Sequence, residues 1–245
     1  FSGTEVWTVP GRGNRPLSVP VANPQPLQEE DFSHRCAFCS GRLTDTPPEK
    51  ARILPSGGIV RGLPLQEYDH TVPAFRRIPN LFEIVSYDYW HANYGFEMDA
   101  ETRQRMENYL SDPVGREHVL KIVRTKRKAA HLPETSEEEL VDQAAGFFAG
   151  GHDVIVAGRH FERGAQDDSQ LASSGTLSAE EHLLFMQLTI DAMRDLYERN
   201  RYAPYVVAFQ NWLQPAGASF EHLHKQLVAI DAVSYTHLTL PTNRE

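Results

Sequence analysis

Residues 211–226 read NWLQPAGASFEHLHKQ and end on His222-Leu223-His224-Lys225-Gln226. On an extended strand alternate side chains share a face, so two imidazoles and an amide would line one wall at about 7 Å intervals. A neutral imidazole presents a lone pair that can attack phosphorus or bind a metal. Just upstream, Gly217-Ala218-Ser219 joins a residue that permits close backbone approach to N–H groups and a hydroxyl able to hold phosphate oxygens. Asn211 leads this loop and can pin it. An isolated His-x-His pair is usually structural, and only the whole string carries chemistry. The two cysteines form a second candidate, Cys36-Ala-Phe-Cys39. With no secretory leader expected, that spacing favours a metal or redox role over a structural disulfide.

These groups need a scaffold, and the punctuation of the chain suggests one. Residues 1–35 are rich in Pro, Gly and Arg and read as a wrapping arm, with a short strand at 5–9. Residues 81–87 (LFEIVSY) read as a strand from their aromatic and β-branched content. Three helices follow: one capped by Asp99, one opened by Asp112-Pro113, and one opened by Ser136 with Glu139 and closed by Gly150-Gly151. DVIVA at 153–157 reads as a buried strand, and Ser178 with Glu181 opens the strongest helix. Its stripe of Leu183, Met186, Ile190, Met193 and Tyr197, spaced three and four apart, is expected to be its core face. Strands at 205–209 and 222–230 complete an α+β fold on an antiparallel sheet, with no internal repeat.

At 245 residues and 40% hydrophobic the chain can bury a real core. No apolar run approaches the length of a membrane span, so we expect a cytoplasmic protein without a membrane partner. A net charge of −9 argues against a general nucleic-acid binder, because backbone phosphates call for an excess of Lys and Arg. The one basic run, KIVRTKRK at 121–128, reads as a solvated helix face. The start at Phe1 and the adapter-like segment 232–245 lead us to expect a natural start and a C-terminal half beyond this sequence. Residues 232–245, His237 included, are expected to be a non-native tail.

The string Asn211-x5-Gly217-Ala218-Ser219-x2-His222-x-His224-x-Gln226 resembles the active-site motif of the galactose-1-phosphate uridylyltransferase family, a histidine-triad branch in which the last histidine is replaced by Gln. That family usually has Pro between its two histidines, where this chain has Leu223. Trp7 followed by Arg12-x-x-Arg15-Pro16, the Cys36/Cys39 pair, Asn80 in RRIPNLF and His160 in DVIVAGRH also match the family in order. The resemblance covers most of residues 5–231 and implies a histidine-triad-like half-barrel sheet with flanking helices. Residues 88–149 would be a helical insertion longer than the family's, the mark of a divergent branch.

The resemblance further implies that His224 is the nucleophile, with Gln226 and Ser219 assisting. Asn211, Gly217, Asn80, Arg12 and Arg15 would contact nucleotide or phosphate, and Cys36, Cys39, His160 and His222 would bind a structural zinc ion, with His34 and His152 as alternates. The implied reaction moves a nucleoside monophosphate from a nucleotide sugar to a sugar 1-phosphate, and the full-length protein would be a homodimer. Gln226 cannot deliver a proton, which suits a phosphate leaving group and disfavours a hydrolase. Three other readings stay open. An ADP-sugar or dinucleoside-polyphosphate phosphorylase would use the same His224 and Gln226; the others are a histidine-triad hydrolase and a non-catalytic, zinc-stabilised binding module acting on RNA through residues 121–128.

Overall fold

The computed structural model describes residues 23–213 and 218–231. The expected strand at 5–9, with Trp7, Arg12, Arg15, Pro16 and Gly217, lies outside them. A short helix α1 (Asp31–His34) leads through the Cys36–Cys39 turn into a 3₁₀ segment, Ser40–Asp45. Strands β1 (Ala51–Ile53), β2 (Ile59–Arg61) and β3 (Phe75–Pro79) form the first part of the sheet. Helices α2 (Tyr87–Tyr94), α3 (Ala100–Ser111), α4 (Pro113–Ala129), α5 (Glu137–Asp142) and α6 (Ala145–Ala149) come next. Then follow β4 (His152–Ala157), α7 (Ala179–Arg199), β5 (Tyr205–Phe209) and β6 (His224–Ile230). The strands make one open antiparallel sheet, ordered β2-β1-β3-β4-β6-β5, so the protein is of the α+β class.

The helix starts follow their caps. Asp99, Asp112 and Ser136 each accept a backbone N–H in the first turn, and Ser178 with Glu181 forms a full capping box. The expected third helix is broken into α5 and α6 before Gly150. In α4, Val119, Leu120, Ile122 and Val123 are buried against Leu140, Phe147 and Phe148, which leaves Lys121 and Arg124 outside. Lys121 pairs with Asp45 and Arg124 with Glu117.

Two expectations are corrected. Residues 81–86 form no strand, and the strand of this region is β3, the FRRIP segment, paired with β4. The amide oxygen of Asn80 takes the N–H of Phe82, and Nδ1 of His152 takes that of Ile84, so side chains occupy donors that a ladder would need. Second, the face of α7 on the sheet carries Leu184, Phe185, Leu188, Thr189, Ala192 and Leu196, while Leu183, Met186, Ile190 and Tyr197 are exposed and Met193 is half-buried. Phe185 stacks on Phe75 at 4.6 Å, with Lys225 Nζ 4.0 Å from its ring centroid. Small residues at 189 and 192 let this side of the helix come close to the strands.

Directly paired residues share a face, so His152, Val154 and Val156 of β4 lie on one side with Gln226 and His224 of β6 and Arg76 and Ile78 of β3. Asp153, Ile155, Arg77 and Leu227 lie on the other, beneath α7. Among the described residues no helix is long and apolar enough to cross a membrane.

Candidate functional site

Cys36 and Cys39 face each other across a tight turn. The N–H of Cys39 bonds the Cys36 carbonyl at 3.0 Å, and the N–H of Cys36 bonds Cys39 Sγ at 3.4 Å. His160 reaches them from the chain leaving β4, and Gly158 allows that path, since a Cβ there would stand 2.3 Å from the Pro73 carbonyl oxygen. His222 comes from the residues just before β6, which begins at His224 and not at the expected position 222. The ligand atoms of these four residues all lie within 4.8 Å of one another.

The distances have the form of a tetrahedron. Bonds of about 2.3 Å to sulfur and 2.0–2.1 Å to nitrogen give tetrahedral edges of about 3.8 Å between sulfurs and about 3.6 Å from sulfur to nitrogen. The sulfurs are 3.8 Å apart, His160 Nδ1 is 3.5 and 3.4 Å from them, and His222 Nδ1 is 3.6 and 3.8 Å away. Nε2 of His222 donates to the Ala157 carbonyl at 2.7 Å, which leaves Nδ1 bare toward the sulfurs. Burial holds this imidazole below its usual pKa, so it is neutral near pH 7. A hydrogen bond between the two thiols drives their pKa values apart, Cys39 down and Cys36 up. These four residues form a candidate metal centre. His34 and His152 take no part: His34 bonds Ser33, and His152 bonds Gln226.

Phe38, inside the cysteine turn, carries the centre to the sheet. Its ring lies 5.5 Å from that of His224 and 4.3 Å from that of Phe220, and its carbonyl accepts from Arg76 at 3.2 Å. Arg76 is buried beside Glu49, whose carboxylate also takes Arg52 at 2.5 Å, so buried charges anchor the turn.

A groove of about 190 Å³ opens beside this turn, lined by Phe38, Asn80, Ser219, His224 and Gln226 among others. His224 is 6% exposed, and its Nδ1 donates to the His222 carbonyl at 2.7 Å. That bond fixes the tautomer and leaves the Nε2 lone pair free. Burial lowers the pKa of His224, with the carbonyl bond opposing, so the ring is neutral. Ser219 is exposed at the groove. Asn211 is half-buried beyond β5 and is not part of the groove wall.

His152 is a further member that its sequence position did not single out for this role. Because its Nδ1 accepts the Ile84 N–H at 3.1 Å, its Nε2 carries the proton and donates to Gln226 Oε1 at 2.9 Å. Asn80 Nδ2 donates to the same oxygen at 3.2 Å. Two donors therefore hold the Gln226 oxygen and leave its amino group as the end available to a ligand. Asn80 spends both ends of its amide within the protein, on Gln226 and on Phe82. Burial lowers the pKa of His152, which keeps Nδ1 an acceptor at neutral pH.

A family model described as a domain of unknown function (DUF4921) matches residues 1–240. No curated protein and no solved structure matches the chain. A match over nearly the whole sequence decides membership: the chain belongs to the DUF4921 family.

Proposed function

We propose that the protein is a nucleotidyltransferase working through a covalent nucleotidyl-His224 intermediate, on a histidine-triad-like half-barrel sheet like that of the galactose-1-phosphate uridylyltransferases. The observation that carries this reading is the His224 tautomer. With Nδ1–H held by the His222 carbonyl, Nε2 presents its lone pair in a groove shared with the Gln226 amide. Nε2 attacks the α-phosphorus of a nucleotide sugar, a P–N bond forms, and the bond from phosphorus to the sugar 1-phosphate oxygen breaks. The departing phosphate needs no proton, which fits an amide at position 226. A second sugar 1-phosphate attacks the same phosphorus and restores the neutral imidazole. The Gln226 amino group and the Ser219 hydroxyl would stabilise charge on the phosphoryl oxygens.

The groove is smaller than the roughly 300–1,000 Å³ of complete small-molecule sites, so it suits a phosphoryl group with nucleoside and sugar extending outward. Zinc is our assignment for the metal, since two thiolates and two imidazoles suit a closed, tetrahedral, structural site. It would tie the cysteine turn to the residues before β6 and activate no water. We place the protein in the cytoplasm, where cysteines in this arrangement stay reduced, and expect it to form a homodimer.

Intact-mass spectrometry after brief incubation with a panel of nucleotide sugars and dinucleotides tests the reading. A gain of one nucleoside monophosphate, acid-labile and absent in His224→Ala, is the expected result. No adduct with any donor, from folded and metal-loaded protein, would refute it.

A further inference from the structure

On the sheet face turned away from His224, the strands, α3, α6 and the end of α7 enclose a cavity of about 610 Å³. Most cations in its wall are matched. Lys50 and Arg77 both bond Asp153, each at 2.7 Å. Arg77 also meets Asp195 at 2.7 Å, and Arg199 meets Asp195 and Asp99, both at 2.6 Å. Arg105 of α3 stands apart. Its Nη2 donates to the Phe148 carbonyl at 3.2 Å, and its buried Nε has no partner among the described residues. Burial lowers its pKa, and the neighbouring guanidiniums of Arg199 and Arg77 lower it further. Among the described residues Lys50, Arg77 and Arg199 each pair with a carboxylate and Arg105 with none, and a desolvated guanidinium with an unmet N–H is costly unless an anion meets it.

The rest of the lining points to an organic ligand. Phe96, Met98 and Leu65 supply apolar surface, while Gln104 and Asn108 supply amides suited to hydroxyl groups. The volume lies within the range of small-molecule sites and far exceeds the needs of a lone oxyanion. A phosphate monoester brings nearly two negative charges and three acceptor oxygens, a better match to several converging N–H donors than a carboxylate.

We propose that this cavity is a second ligand site, binding a small sugar phosphate or similar organic phosphate with its phosphoryl group on Arg105 and its carbon skeleton against Phe96 and Met98. The site is separated from the His224 groove by the sheet and does not depend on the nucleotidyl-transfer reading.

Isothermal titration of the full chain with ribose 5-phosphate and glucose 6-phosphate tests it, with inorganic phosphate, ribose and glucuronate as comparisons. Saturable binding of a sugar phosphate is expected, at least about tenfold tighter than glucuronate. Arg105→Met should weaken it at least about tenfold. Gln104→Trp, at an exposed position on the cavity wall, should do the same by blocking entry. His224→Ala should bind unchanged. The proposal is overturned if neither sugar phosphate binds the folded protein, if glucuronate binds as well, if both cavity variants keep wild-type affinity, or if His224→Ala abolishes binding.

Discussion

Asp153 is fully buried and is the carboxylate that Lys50 and Arg77 share, so Asp153→Asn is a perturbation whose size can be worked out. The substitution keeps the shape and removes the charge. Arg77 retains Asp195, while Lys50 keeps only the Gly150 carbonyl at 2.8 Å. Leaving a buried cation without its partner costs about 3–5 kcal/mol, a large share of a total stability of roughly 5–15 kcal/mol. With a urea slope of roughly 2.5 kcal/mol/M, the midpoint should fall by about 1.5 M at pH 7. The deficit should also shrink as pH rises. Burial already holds the pKa of Lys50 below its ordinary 10.5, and losing the carboxylate lowers it further. Between the variant's Lys50 pKa and the wild type's, the folded variant lacks a proton that the folded wild type and the unfolded chain both hold, so the variant gains stability with pH relative to wild type, by up to about 1.4 kcal/mol per unit. Lys50→Met added to Asp153→Asn should recover about 1–2 kcal/mol by removing the stranded charge. Urea denaturation at pH 7 and pH 9 measures all three. A single variant within about 1 kcal/mol of wild type at pH 7, or a deficit unchanged at pH 9, would refute the reasoning.

The metal centre predicts one bound ion per chain by elemental analysis, lost in Cys36→Ser, and a fall of several kcal/mol in urea stability on chelation; a chelated protein of unchanged stability would count against it. His152→Leu leaves the Gln226 oxygen held by Asn80 alone, and nucleotidyl-adduct formation should slow by about tenfold, the worth of one such hydrogen bond. His152→Gln keeps a donor at the same reach and should recover most of that rate; equal rates for the two variants would deny His152 a positioning role. On α7, Leu188→Ala should cost about 2–5 kcal/mol and Ile190→Ser within about 0.5 kcal/mol of nothing, and a reversed order in urea unfolding would show that the buried face has been misassigned.

Features with local causes were legible in the sequence. Asp99, Asp112-Pro113, Ser136 and Ser178 with Glu181 sit where their helices begin, because a cap depends on residues three positions away. β3 was not legible. FRRIP carries two arginines that look solvated, and they are buried because Glu49, Asp153 and Asp195 meet them from other elements. The helix α7 has two stripes at helical spacing, and hydropathy prefers the one with larger residues. Which one is buried depends on how closely the helix approaches Phe75 and the strands, a fact absent from any window of the sequence.

The candidate site divides along the same line. Cys36, Cys39, His160 and His222 come together from three separate parts of the chain; spacing marked the cysteine pair, and the family resemblance supplied the two histidines. His152 was considered only as an alternate ligand, although it lies in a strand read almost correctly. Its role follows from register: β4 and β6 pair antiparallel with Val154 opposite Gln226, which sets His152 on the same face two residues along. Alternation within one strand gives a residue's face relative to its neighbours, but the partner across the ladder is fixed by where two distant segments align. The groups that tune a site are therefore harder to read than the groups that perform its chemistry, since a nucleophile or ligand is marked by its own type and a positioning residue only by its cross-strand company.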